Sequence, residues 1–363
     1  MKKEVQFNYP IRGKGRPQII LIGNGLERAS NQVSWNQLVD NLTAANCISF
    51  SEEEKESIPF PLLYEAIILN VPIPQMLDSA EIKREEDQLK TEMGNLVNAS
   101  NKLLIELPKL NADHIFTTNY SYCLEKAFMP KRNFSSSSSR SAVRCNLSAR
   151  DENGKKKREV IYRLHSCYLG KNSNDTAIGL WHIHGEAGTP KGIVLGHDRY
   201  GRLLKRIIER CSDLDFKNLG KNSKPHSFTS WPELFLFGDV YVIGFGFEQC
   251  EFDLWWLLRR KQREHYGDGK VFFYDKIITE KEAVEVTSDV TPERLEELRK
   301  KNKEIEKHNR EVHKKNIHHK LMQAHGVQIL DLGSSNETDY NDFYMQVFED
   351  VGKKIAESKV NIK

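Results

Sequence analysis

Pro17-Gln18-Ile19-Ile20-Leu21-Ile22-Gly23-Asn24-Gly25 decides the fold. A continuous apolar run bounded by proline and glycine reads as a strand buried on both faces. The Gly-Asn-Gly that follows is a tight turn out of that strand. Ser34 is then placed to cap a helix over Ser34 to Asp40. Working outward, the same signature recurs. His114-Ile115-Phe116-Thr117-Thr118 leads through Asn119 and Tyr120 into a helix expected from Ser121 to Phe128. Gly179 to His184 is a third strand and ends at Gly185. Asp239 to Gly244 runs through Phe245 and Gly246 into a helix from Phe252 to Leu258. Gly269 to Tyr274 and Val327 to Leu330 read as further strands, and Tyr340 to Val360 as a last helix.

Apolar strands alternating with helices predict an α/β fold: a Rossmann-like parallel sheet covered by helices, with helical insertions. Ligands of such sheets sit at the carboxyl ends of the strands. We read one domain over 1–363, with core segments at about 17–47, 111–130, 176–280 and 326–360. A helical insertion is expected over 48–110, where Ile82, Leu89, Met93, Leu96 and Leu103 recur at near-helical spacing. Residues 131–163 carry five consecutive serines, ten basic and three acidic residues, and read as a mobile basic loop or hairpin. Residues 291–325 predict a highly charged helix that packs by one narrow stripe.

The 363 residues are 39% hydrophobic and 29% charged, with a net charge of +3, which excludes disordered and fibrous chains. No apolar run is long enough for a membrane span. The N-terminal stretch has charge but no apolar h-region, so no signal peptide is expected and a cytoplasmic location is. None of the six cysteines forms a C-x-x-C pair, so no zinc ribbon is visible.

Four strand ends hold the candidate chemistry. Gly23, Asn24 and Gly25 allow close backbone approach to a phosphate, or make an ordinary turn. Thr117, Thr118, Asn119 and Tyr120 offer short polar groups to a ribose or a water, or start a helix. In His182-Ile183-His184-Gly185, strand alternation puts both histidines on one face. His184, nearer the strand end, is the better general base; His182 reads as structural. A metal pair lacks a third ligand in sequence. Gly244 and Gly246 form another strand-to-helix turn, and Asp253 beyond them binds a ribose hydroxyl or caps backbone.

These pieces, in this order, resemble the sirtuin-like superfamily, and more specifically its bacterial antiphage-defence branch of NAD hydrolases. The resemblance covers roughly residues 17 to 275. It runs through Gly23-Asn24-Gly25, Ser34-Trp35-x-x-Leu38, Thr117 to Tyr120, His184-Gly185 and Gly244 to Asp253. Ser121 stands where the family's Thr-Thr-Asn-Tyr block continues with aspartate. The four-cysteine zinc module of deacylating sirtuins is absent, which turns the expectation from deacylation to cleavage of NAD itself. The resemblance implies NAD as substrate without a metal. Asn119 and His184 would be catalytic; Gly23, Asn24, Gly25, Thr117, Thr118, Tyr120, Gly185, Gly244, Gly246 and Asp253 would contact NAD. It also implies self-assembly or a separate ATPase or translocase partner, with segments 79–107 and 291–325 as candidate surfaces. Two rival readings are a non-catalytic NAD or ADP-ribose-binding module and, from the basic stretches, a nucleic-acid-acting protein.

Overall fold

In the computed structural model, residues 5–29, 40–43, 50–69, 101–148, 159, 161–214, 219, 225–264, 267–285, 291–333, 335–336 and 338–359 are described. Strands β1 (Phe7–Tyr9), β2 (Gln18–Ile22), β3 (His114–Thr117), β4 (Arg144–Asn146) and β5 (Ser166–Lys171) are followed by β6 (Ala177–His182) and β7 (His226–Phe228). Next come β8 (Asp239–Ile243), β9 (Val271–Tyr274) and β10 (Val327–Leu330). Strands β1 and β7 make a small antiparallel pair. The other eight form one sheet in the order β10-β9-β8-β2-β3-β6-β5-β4.

Every pairing from β10 to β6 is parallel, while β5 and β4 run antiparallel at the edge. The Rossmann-like architecture is therefore mixed rather than wholly parallel. All five residues of β2 are buried, as a central strand covered on both faces requires. Side chains alternate between two cores. Ile20, Ile22, Ile115 and Tyr241 face the helices Phe60–Leu69, Cys123–Phe128 and Tyr340–Lys359. Ile19, Leu21, Phe116 and Val240 face the helices His197–Ser212, Trp231–Phe237 and Phe252–Glu264. Burying each such side chain contributes roughly 1.5–3 kcal/mol.

From β2 the chain goes to β3 on one side, and later returns to β8 on the other. That reversal is the topological switch point, where open α/β sheets leave a crevice at the strands' carboxyl ends. The turns after β2 and β8 meet there. Gly25 N–H donates to the Gly244 carbonyl at 2.7 Å.

The insertion over 131–163 is more structured than its composition predicts. Its described part holds a helix, Ser137–Val143, capped by the Ser136 hydroxyl, and then β4. A three-residue strand pairing a distant partner leaves no periodicity to read. Lys155 to Arg158, the Ser34 cap with its Trp35 and Leu38, and the 70–100 part of the helical insertion lie outside the described residues.

The charged helix spans Pro292–Ala324, with Thr291 as its N-cap. It buries Leu298, Ile305, Val312 and His319, a strict seven-residue stripe, and then Met322. Beside that stripe two asparagines clamp the extended segment that follows β9. Asn302 accepts from Val284 N–H at 2.8 Å and donates to its carbonyl at 2.9 Å. Asn309 treats Lys281 identically, at 2.8 and 2.9 Å. Seven helical residues rise about 10.5 Å, and three extended residues span about 10 Å, so the two rungs stay in register. Replacing both asparagines by alanine removes four hydrogen bonds, each worth about 1 kcal/mol. Amide exchange at Lys281 and Val284 is then expected to accelerate at least tenfold; unchanged protection would mean the clamp does not hold the segment.

Candidate active site

All four predicted strand ends lie along the carboxyl rim of β8, β2, β3 and β6, and each turns because of what it packs against. A Cβ on Gly23 or Gly25 would lie 2.6–2.8 Å from atoms of Gly244 and Phe245. These glycines therefore have a packing reason to be glycine in addition to any ligand. Gly244 adopts φ +61°, which glycine tolerates freely. Gly246 is the least crowded of the four, its nearest neighbour being the Glu248 side chain at 3.3 Å. Asn24 precedes a single helical turn, Gly25–Arg28.

Asn119 leaves β3 in a fixed pose. Its backbone N–H donates to Thr117 Oγ1 at 3.0 Å. Its side-chain Nδ2 donates to the Gly23 carbonyl at 3.2 Å and to Glu27 Oε1 at 3.0 Å. Ser121 Oγ donates to the same Glu27 oxygen at 2.9 Å. Tyr120 O–H donates to the Val194 carbonyl at 2.8 Å, and Thr118 N–H to the Ile22 carbonyl at 3.3 Å. Both therefore tie the rim to its neighbours.

The two histidines do not share a face. Strand β6 ends at His182, and the chain turns through Gly185 at φ +98°, so the alternation rule no longer applies at His184. His182 packs against Tyr122 and Tyr168 on one side of the sheet. Its Nδ1 bonds the Asn119 carbonyl and its Nε2 bonds Glu125, both at 2.9 Å. Both partners are acceptors, which suits an imidazolium. Burial opposes that charge, but Glu125 and Glu186 outweigh it and raise the His182 pKa.

His184 lies against Tyr200 of the helix His197–Ser212, with ring centroids 5.5 Å apart. Its Nε2 bonds Asp253 Oδ2 at 3.0 Å, and its Nδ1 faces Glu251 Oε2 at 3.6 Å. Tyr200 O–H donates to that same Glu251 oxygen at 2.9 Å. Burial lowers the His184 pKa, yet Asp253 and then Glu251 overcome it, so the net shift is upward. Burial also lifts the Glu251 carboxyl to about 7. Asp253 is fully buried, at 0% exposure, and one of its two carboxylate oxygens bonds His184.

His184, Glu251 and Asp253 place ligand-type atoms within 4.8 Å of one another, a constellation that the sequence spacing did not suggest. Among the described residues, the second Asp253 oxygen, Oδ1, is buried without a hydrogen-bond partner. The two ring nitrogens face two different carboxylates, whereas a single ion engages only one nitrogen of an imidazole.

Asn119 and His184 are buried, at 6% and 2% exposure. A separate cavity of about 20 Å³ lies on the β5–β6 side, lined by Arg144, Arg163, Tyr168, His182 and Glu186. It is roughly the size of one water. The thiols of Cys123 and Cys211 are pushed by burial up to about 11 and about 12, which keeps them protonated and inert.

Four residues escape a sequence reading: Glu27, Glu125, Glu186 and Glu251. Each is a carboxylate inside an otherwise apolar or structured stretch. The only signal is that such a residue must find a distant partner when buried.

The α/β sheet thus places glycine turns at its switch point and an imidazole–carboxylate pair at the neighbouring strand end, where open sheets of this class leave a ligand crevice. Residues 113–283, from just before β3 to the segment beyond β9, match the family model of the SIR2-like domain. Such domains use NAD and are often NAD-dependent enzymes. No curated protein matches the chain in sequence. Among the described residues, no helix is long and apolar enough to cross a membrane.

Proposed function

We propose that this chain hydrolyses NAD at the bond between nicotinamide and ribose. The observation that carries the proposal is the His184–Asp253 pair at the end of β6, on the rim of a SIR2-like sheet. Asp253 accepts a hydrogen bond from Nε2–H, which leaves Nδ1 of a neutral His184, on the side of Glu251, as the basic atom. Nδ1 takes a proton from the attacking water, whose oxygen bonds the anomeric carbon. The carbon–nitrogen bond breaks with its electron pair going to the pyridinium nitrogen. Nicotinamide leaves neutral, ADP-ribose remains, and the proton passes from His184 to solvent. Asn119 orients the water or a ribose hydroxyl. The turns at Gly23 to Gly25 and Gly244 to Gly246, with Thr117, Thr118, Tyr120 and Gly185, line the dinucleotide's path.

Burial of both catalytic groups supports a resting state that opens on activation. That fits an effector of bacterial antiphage defence, acting in the cytoplasm and depleting NAD when triggered through self-assembly or an ATPase-type partner. Incubating the full chain with NAD and measuring free nicotinamide tests the chemistry. Asn119→Ala is expected to lower the rate roughly 100-fold or more, and full activity in that variant would remove Asn119 from the mechanism. The same burial favours a second reading, a module that binds NAD or ADP-ribose and switches a partner. Tight binding without nicotinamide release, with or without assembly, would select it.

A further inference from the structure

Glu27 lies in the one helical turn that follows the Gly23–Gly25 bend, and it is buried. Its Oε1 receives hydrogen bonds from Asn119 Nδ2 at 3.0 Å and Ser121 Oγ at 2.9 Å. Both partners are neutral. A buried carboxylate is costly to keep, so a position that spends one on an amide and a hydroxyl calls for a reason beyond packing.

The amide supplies it. Nδ2 of Asn119 also donates to the Gly23 carbonyl at 3.2 Å. A backbone carbonyl only accepts, so the NH₂ group must point at Gly23 and Glu27. Both amide hydrogens are then spent, and Oδ1 alone remains to meet anything arriving from outside. The backbone of Asn119 is held as well, by Thr117 Oγ1 on its N–H and His182 on its carbonyl.

We infer that Glu27 is a positioning residue that fixes the side chain of Asn119, so that Asn119 offers a pure acceptor and recognises a hydroxyl or a water, never a carbonyl or phosphate oxygen. Through Ser121 it also supplies a carboxylate beside position 121, where the chain itself has none. The catalytic part of this inference rests on the hydrolase reading; the structural part does not.

The test uses the full chain labelled with ¹⁵N at asparagine side chains, with Glu27→Leu and Glu27→Gln. In the unaltered protein the Asn119 amide pair should exchange slowly. Glu27→Leu should shift that pair and speed its exchange about tenfold, equivalent to one lost hydrogen bond. Glu27→Gln retains an acceptor and should restore slow exchange. With NAD, Glu27→Leu should lower kcat about 100-fold by misplacing Asn119, with KM little changed, and Glu27→Gln should recover most of the rate. Glu27→Ala gives the same readouts should the leucine variant unfold. An Asn119 amide indifferent to all three variants would overturn the inference, as would wild-type kcat in Glu27→Leu. If the unaltered chain releases no nicotinamide, the hydrolase reading falls, while the amide measurement still decides whether Glu27 holds Asn119.

Discussion

Replacing His184 by alanine is expected to reduce nicotinamide release by roughly 10²–10⁴-fold, the range for losing a general base. The variant also loses stability, because Asp253 and Glu251 stay buried without their imidazole partner, so circular dichroism has to show it folded before the rate is read. Asp253→Asn should cost a comparable factor for a different reason. The carboxylate accepts only, and so fixes the proton on Nε2. An asparagine amide can present its NH₂ group instead, which moves the proton to Nδ1 and removes the basic atom from the working side.

The pH dependence follows from the same contacts. The His184 pKa is raised, so near neutrality part of the population is imidazolium and cannot accept a proton. Turnover should therefore rise with pH through the raised value and then level off. Glu251, itself lifted to about 7, holds His184 in the charged form once ionised. Glu251→Gln should consequently move the midpoint of the rate profile to lower pH. The two groups titrate as a coupled pair, so the profile reports the pair rather than either residue. Nicotinamide release measured across pH 5–9 decides it. Full activity in His184→Ala, or a midpoint unmoved by Glu251→Gln, would remove the dyad from the mechanism.

How much of this was legible beforehand differs from element to element. Ile19 to Ile22, Ile115 to Thr117 and Val240 to Ile243 are continuous apolar runs, and they became the central parallel strands β2, β3 and β8. Strand β5 was not read, because Ser166, Gly170 and Lys171 interrupt its apolar residues and its partner lies on the antiparallel edge. At the site, the strand-end positions of Asn119 and His184 could be located from local pattern. Their partners could not. Asp253 was visible as a residue but not as the orienter of His184, 69 positions away. The shared face predicted for His182 and His184 failed because one left-handed glycine, Gly185, ends the alternation. The basic insertion misled in the opposite sense. A run of cations suggests a solvated surface, yet Arg144 and Arg163 turn inward onto a carboxylate.

That carboxylate, Glu186, is where the largest loss of stability is expected. Its side chain is 3% exposed and accepts hydrogen bonds from Arg144 at 2.6 Å, from Arg163, and from Tyr168 O–H at 2.7 Å. Arg144 also lies over the Tyr168 ring, 4.7 Å from its centroid. Arg163 reaches on to Thr189 at 3.1 Å, so the cluster fastens the insertion to the turn that carries His184 and Gly185. That turn has little slack: a Cβ on Gly185 would lie 2.2 Å from the Gly192 carbonyl. Glu186→Ala strands two guanidinium groups and should cost roughly 3–5 kcal/mol, as breaking a buried charged cluster does. Glu186→Gln keeps an acceptor and should cost less. Burial would raise the Glu186 pKa, but Arg163 and Arg144 outweigh it and hold it at about 2. A depressed folded value means the carboxylate's contribution is present above the unfolded value of about 4.5 and is lost as pH falls from there towards 2. Thermal unfolding of the wild type should therefore lose midpoint temperature steeply between pH 5 and pH 3. Glu186→Ala should start lower at pH 7 and fall less over the same interval. Parallel curves for the two proteins, or a variant as stable as the wild type at pH 7, would mean that the arginines find solvent without loss and that the insertion is not anchored through this residue.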